Sequence, residues 1–420
     1  MIRLRPTHWV ILCCVAAVAL PMAAGSLLGA LLGGLSTMQS RVPSLASEDS
    51  VIGLSEAYNA SGQELMARLA SAPGNIVVSP YSIGTAMALA RSGASGETDA
   101  EMARVLRHHM PRAEVDSANE KALAILGPYG RSLSRPGNAT LISANAVVLP
   151  PHGATISTDY LARARAGYAA EIFRKAGTAE VNNWVSRKTE GKIDKIVDRL
   201  DPEAAALLLN AVYFKAPWFD PFDPARTRPE AFALSPSQTV QVPMMRREGI
   251  FPVVTEAGFT AIRVPYQALR LHMVIVLPDR ADGLPAVAAR LDGAGLAQLF
   301  DRLKGDAFAH IDLALPRFRA RFETSLKDHF RALGMTQAFD AAKADFSGMT
   351  GGSGGLFLTD ATHAAMIDVT EEGTEAVAAT TGVTGAGRPE PFHVNRPFLF
   401  YIIESTTNAI LLQGRIVDPR

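Results

Sequence analysis

A Ser/His/acid arrangement for nucleophilic catalysis is the first chemistry to seek in this chain, and none stands out. Nine histidines are scattered along it, and none sits in a hydrolase motif such as G-x-S-x-G. SGMTGGSGG (347–355) has the glycines of a phosphate-binding loop but lacks the closing Lys-Ser/Thr, so it reads as a surface loop. There is no Cys₂His₂-type zinc pattern, and neither cofactor nor metal is expected. Nothing argues for an enzyme that turns over substrate. Residues 371–391, EEGTEAVAATTGVTGAGRPEP, lie between two strand signals, ATHAAMIDVT (361–370) and RPFLFYII (396–403). After Glu375 this stretch is small-sided and almost uncharged. At a strand's period of two, one parity reads Thr374, Ala376, Ala378, Thr380, Gly382, Thr384 and Ala386, all small. Such a segment can stand in water, and can also slide into an occupied sheet without striking its core. A flexible Gly/Ala/Thr linker has the same composition.

The elements that must hold this segment follow from periodicity and caps. VIGLSEAYNASGQELMARLASA (51–72) is helical. Ser79 and Pro80 suit the cap and first turn of a helix over 81–92. Ser95 is available to cap a helix over 95–106, and 178–191 is a helix with Gly191 at its end. Residues 140–150 form a strand. AALLLNAVYFKAPW (205–218) is a nearly continuous apolar run, as in a central strand covered on both faces. Residues 259–279 read as two strands around a turn and 284–300 as one helix. FLFYIIES and AILLQGRIV form a buried hairpin turning near Thr407-Asn408. Helices and strands mix without βαβ alternation, an α+β class.

The 420 residues carry 41 basic and 41 acidic side chains, a balance that argues against a nucleic-acid binder. A 48% hydrophobic content supports a large core. Arg3 and Arg5 precede an apolar run, the order of a signal peptide, and Ala23-Ala24-Gly25 suits cleavage. Apolar character resumes at 26–35, which keeps an uncleaved signal anchor in play. The expected organisation is a signal peptide or anchor over 1–25, an apolar-then-polar linker over 26–50, and one domain over 51–420. The expected location is secreted, extracellular or periplasmic, or else membrane-anchored and facing outside. Both cysteines, Cys13 and Cys14, lie in the leader, so no disulfide can hold the domain or its loop.

HAAMIDVTEEGTEAVAATT followed by F-x-V-N-RPFLFYI resembles the hinge, reactive-centre loop and C-terminal strands of the serpin family. NIVVSPYSIGTAMALARSGASGETDAEMARVL (75–106), VNNWVSRKTEGKI (181–193), LNAVYFKAPWFDPFDPARTRPEAF (209–232) and DLALPRFRARFETSLKDHFRALGMTQAFDAAKADFSGMT (312–350) match further family blocks, in family order. The resemblance covers the chain from about residue 51 to its end. It implies a serpin fold: a large mixed central β-sheet, two further sheets, about nine surrounding helices and an exposed loop at 373–391. It also implies a monomeric suicide inhibitor of a serine protease. A non-inhibitory binding or chaperone-like serpin and an inhibitor of cysteine proteases are the competing readings.

The resemblance assigns the hinge to Gly373, Thr374, Glu375, Ala376, Val377, Ala378, Ala379 and Thr380, where insertion must begin. The small parity faces inward there, and Glu375 stays on the wet side. Counting from Glu371 as one, the seventeenth residue places the scissile bond at Gly387-Arg388; counting back from Pro397 places it at Ala386-Gly387. Gly or Ala before the cut suits an elastase- or subtilisin-like pocket. Trypsin-like cutting after Arg388 is opposed by Pro389. Ser79, Ser82, Asn210 and His363 match the family's shutter, a buried polar cluster where strands must part; an ordinary cap for Ser79 and a satisfied core histidine for His363 are the plainer alternatives. Trp218 and Glu371 match the breach, where the loop enters first, with core packing the plainer role for Trp218. Ala364 departs from the family, in which many members carry Lys after the His.

Overall fold

The computed structural model describes residues 46–127, 129, 139–149, 155–200, 206–305, 307–352, 355–373 and 388–420. The expected leader at 1–25 and most of the linker lie outside this set. So do Thr374, Glu375, Ala376, Val377, Ala378, Ala379, Thr380, Ala386 and Gly387.

The helices are α1 (Glu48–Leu69), α2 (Pro80–Arg91), α3 (Gly96–Val105), α4 (Arg112–Leu126), α5 (Thr158–Tyr168), α6 (Thr178–Lys188), α7 (Leu284–Arg290), α8 (Gly293–Lys304), α9 (Lys327–Ala332) and α10 (Ser347–Thr350). The strands are β1 (Ile76–Val78), β2 (Thr140–Leu149), β3 (Glu171–Arg174), β4 (Ala206–Lys215), β5 (Arg228–Ser235), β6 (Gln238–Glu256), β7 (Phe259–Pro265), β8 (Leu271–Pro278), β9 (Phe308–Pro316), β10 (Phe318–Ser325), β11 (Leu358–Val369), β12 (Glu390–His393), β13 (Phe398–Glu404) and β14 (Ala409–Ile416).

One sheet has five strands in the order β10-β11-β4-β2-β3. Its middle is a parallel pair, β11 beside β4, with His363 opposite Asn210. The apolar run of β4 divides by parity, as a strand covered on both faces must. Leu208, Val212 and Phe214 enter the main core, while Leu209, Ala211 and Tyr213 join Val181, Trp184 and Val185 of α6 on the other face. Helix α2 is buried along its whole length. The remaining strands run β1-β14-β13-β8-β7-β6-β9-β12, with β5 also on β6. The 19-residue β6 makes these continuous: it pairs with β5 and β9 in its first part and with β7 in its last. Strand β12, the first after the loop, runs parallel to β9.

Three local expectations change. Helix α1 starts at Glu48, inside the expected linker, because Ser47 accepts the Ser50 N–H at 3.0 Å and caps it there. The single helix expected over 284–300 is two, α7 and α8. The break is at Asp292, whose carboxylate accepts from the Gly295 N–H at 2.9 Å and starts a new helix. The surface loop expected at 347–355 opens instead with the short helix α10. Its Met349 is buried, and Gly348 lies so close to Gly93 that a Cβ would meet the Gly93 carbonyl oxygen at 2.9 Å.

Candidate functional site

The site has two ends and a middle. At the upstream root, β11 ends at Val369 and the chain is gripped at once. The Trp218 indole N–H donates to the Thr370 carbonyl at 3.0 Å. The backbone N–H groups of Phe222 and Trp218 donate to the carbonyls of Glu371 and Glu372 at 2.8 and 3.3 Å. The buried Glu371 carboxylate accepts from the Thr227 hydroxyl at 2.8 Å and lies 3.4 Å from the Arg317 guanidinium. Trp218 itself stacks on Tyr266, centroids 4.5 Å apart and planes 7° from parallel. Trp218 therefore packs in the core and also clamps the loop root, where it meets Glu371, the other residue that the resemblance assigns to the breach. Thr227, Arg317 and Tyr266 complete this clamp and were not anticipated; nothing in their local sequence marks them.

Of the residues that the resemblance assigns to the hinge, Gly373 alone is among those described. Its φ of +68° favours glycine, and a Cβ there would stand 2.2 Å from the Trp218 nitrogen and 2.4 Å from the Ala216 oxygen. No side chain fits between the loop root and the end of β4. At the downstream root, Arg388 is exposed and Glu390 enters β12 opposite Ile311.

In the middle, the four residues that the resemblance assigns to the shutter form one buried network. The Ser79 backbone N–H donates to His363 Nε2 at 3.3 Å, so the ring proton sits on Nδ1, which donates to Asn210 Oδ1 at 2.6 Å. Asn210 Nδ2 donates to Ser82 Oγ at 2.5 Å and to Asn145 Oδ1 at 2.6 Å. Ser82 Oγ also meets Ser143 Oγ at 2.6 Å. Ser79 Oγ accepts from the Ser82 N–H at 3.1 Å and donates to the Leu411 carbonyl at 2.5 Å. Ser79 thus caps α2 and also belongs to the buried network. Asn145 and Ser143 on β2 were missed. A polar pair inside the apolar strand TLISANAVVLP was the available signal, but only the register, with Asn145 opposite Asn210, gives it meaning. A cavity of about 10 Å³, room for about one water, lies beside Asn210 and Leu208 between α2 and the β4–β11 pair. Ala364 is fully buried in the cluster beneath α6.

Burial keeps the His363 imidazole neutral, its pKa pushed down to about 3. Burial, reinforced by Arg91, takes His108 to about 3, and burial with Arg263 takes His272 to about 4. In the unfolded chain each takes a proton near pH 6.5. Between that pH and about 3–4 the unfolded state binds more protons, so native stability is full above about pH 6.5 and falls as pH drops through the window. Between about pH 6.5 and 5, above the range of ordinary carboxylates, the slope belongs to histidines. The expected result is an unfolding midpoint that falls steadily over that interval, with His363→Gln reducing the slope by about one proton. A flat profile in the unmodified chain would contradict this assignment.

Residues 56–419 match the family described as Serpin (serine protease inhibitor). An uncharacterized serpin-like protein of Thermococcus kodakarensis is 35% identical over 379 residues, covering 87% of this chain and 85% of that one. Leukocyte elastase inhibitor A of Mus musculus is 32% identical, covering 83% and 94%. Among solved structures, the native state of the thermophilic serpin tengpin superposes with a TM-score of 0.76 at 28% identity, covering 87% of this chain and 94% of its own.

Proposed function

The chain belongs to the serpin family, and from that premise we propose that it is an inhibitory serpin, a suicide substrate of an elastase- or subtilisin-like serine protease. The observation that carries this reading is the relation of β11 to β4. The two strands pair in parallel with no strand between them, and β11 runs straight into the loop. A loop turning back from Gly373 would lie antiparallel to both if they parted, the stronger ladder arrangement.

The protease serine Oγ attacks the carbonyl carbon of the bait residue, favoured as Gly387, and forms an ester. The Gly387–Arg388 peptide bond breaks, and the leaving amine stays on Arg388. The freed segment from Thr374 to Gly387 then enters between β4 and β11, carrying the protease with it. Loop insertion that releases stored strain is a known property of serpins. About a dozen new ladder hydrogen bonds at about 1 kcal/mol net each give on the order of 10 kcal/mol, as much as a whole domain's stability. That is enough to distort a protease active site and stall hydrolysis of the ester. The uninserted state is then held by kinetics. The name of the mouse relative, leukocyte elastase inhibitor A, supports an elastase-like target.

The test mixes the full chain with elastase, subtilisin, trypsin and papain, then runs denaturing gels and sequences the released C-terminal peptide. We expect a heat-stable covalent adduct with elastase or subtilisin and a peptide beginning at Arg388; a peptide beginning at Gly387 would move the bond to Ala386-Gly387. An adduct with papain alone would make this a cysteine-protease inhibitor. Clean cleavage by every protease without adduct would sink the inhibitor reading. The basic-then-apolar N-terminal stretch supports action outside the cytoplasm, released or anchored. N-terminal sequencing of the expressed protein checks this, and a start beyond Gly25 is the expected result.

A further inference from the structure

Four large hydrophobic side chains are more than half exposed among the described residues: Phe219, Ile250, Leu269 and Phe308. Single exposed apolar residues are ordinary on protein surfaces, but these are placed around the roots of the loop. Phe219 follows Trp218, and Leu269 lies in the turn whose Gln267 N–H donates to the Pro217 carbonyl, beside the upstream root. Ile250 and Phe308 lie on the sheet that receives the downstream root.

The register places this second pair closely. Ile250 faces His310, and Pro252 faces Phe308. Ile250 and Phe308 are therefore diagonal neighbours on one face, roughly 7–8 Å apart. Strand β12 joins the same sheet with Glu390 opposite Ile311. Following that register back two residues brings Arg388 level with Ala309, about 7 Å along the strand. Phe308 is then one strand away and Ile250 two, roughly 5 and 10 Å to the side. The half-exposed Glu248 borders the pair, 3.8 Å from both the Arg226 and the His310 nitrogens. An apolar centre with a polar border is the make-up of a binding surface.

We propose that Ile250 and Phe308 form an accessory contact for the target protease, covered by an apolar rim beside the subsites that receive the residues after the scissile bond. This rests on the inhibitor reading and on Gly387-Arg388 as the bait. A protease seated on that bond must overhang whatever lies within 10 Å or so of Arg388 along this sheet, given strand spacings of about 5 Å. The contact acts before acylation, so it sets how fast the protease is captured and leaves untouched how captured protease divides between trapping and release.

The test uses the full chain with elastase and subtilisin as probes. It measures the second-order rate of adduct formation and the ratio of adduct to cleaved inhibitor. Ile250→Ser with Phe308→Ser is expected to lower the rate about tenfold, as loss of an interface anchor does, with the ratio and the unfolding midpoint unchanged. Ile250→Leu with Phe308→Leu is expected to retain the rate. No adduct with the unmodified chain would sink the inhibitor reading and this contact with it. An adduct formed by the double serine variant at the unmodified rate would overturn the contact alone. So would an unchanged rate accompanied by a dimer-to-monomer shift in sedimentation, which would give the pair to a second copy of the chain.

Discussion

Thr374→Arg is expected to abolish the covalent adduct and leave a protein that proteases simply cut. Thr374 is the first residue beyond Gly373, which is wedged against the backbone of Ala216 and Trp218. On the proposed mechanism it is the first side chain that insertion must carry between β4 and β11, on the inward parity. An arginine there enters a region walled by buried Phe214 and Ile367. An unpaired charge in such a place costs several kcal/mol. Full insertion releases on the order of 10 kcal/mol from its ladder bonds, so the final state survives the substitution. The first step does not. Trapping is a race between insertion and deacylation, and each ~1.4 kcal/mol added to the insertion barrier slows it tenfold. A delay of two or three such factors lets hydrolysis win. The readout is the fraction of protease held as adduct on a denaturing gel, expected to fall from most of the protease to almost none while cleavage continues at the same bond. Undiminished trapping by Thr374→Arg would mean that insertion does not begin at this residue.

On the same mechanism, Asn210→Ala is expected to shorten the life of the uncleaved, trapping-competent protein. Asn210 is the junction of the buried polar network, joined to His363 on β11, Asn145 on β2 and Ser82 on α2. Without it, the His363 Nδ1–H and Asn145 Oδ1 lose these bonds in a buried site, at about 1–3 kcal/mol each. The small cavity beside it also grows, adding a packing loss. If about half of this loss appears in the barrier to opening, uncleaved protein should lose trapping capacity on the order of tenfold to a hundredfold faster at 37 °C. Asn145→Ala should act more weakly, since Asn210 keeps His363 and Ser82. The check is the decay of adduct-forming capacity with time. Equal decay in Asn210→Ala and the unmodified chain would reduce the cluster to ordinary core hydrogen bonding.

The elements themselves were largely readable. Ser79 and Pro80 open α2 as their types suggest, the run around β4 is a doubly covered strand, and the closing hairpin turns at Asn408, whose φ is +56°. Each depends on interactions within a few residues: a cap, a period, a turn. The misreadings share that origin. Periodicity alone carries 284–300 through as one helix, because it does not register that Asp292 competes for the next backbone N–H groups. Glycine richness alone makes 347–355 a loop, because it does not show Gly348 resting on Gly93.

By itself the sequence determined the α+β class, the family and the small-sided stretch between two strand signals, and through the resemblance it singled out Ser79, Ser82, Asn210, His363, Trp218 and Glu371. The tertiary structure alone decided how they are joined. The Ser79–His363 bond joins residues 284 apart, His363–Asn210 joins residues 153 apart, and Glu371–Thr227 joins residues 144 apart. The partners Asn145, Ser143, Thr227 and Arg317 became visible only through strand register and the approach of separate segments. The physical reason is that a local pattern is set by backbone geometry over one or two turns. A buried hydrogen bond or ion pair is set by which strands lie side by side, and that follows from closing the whole core.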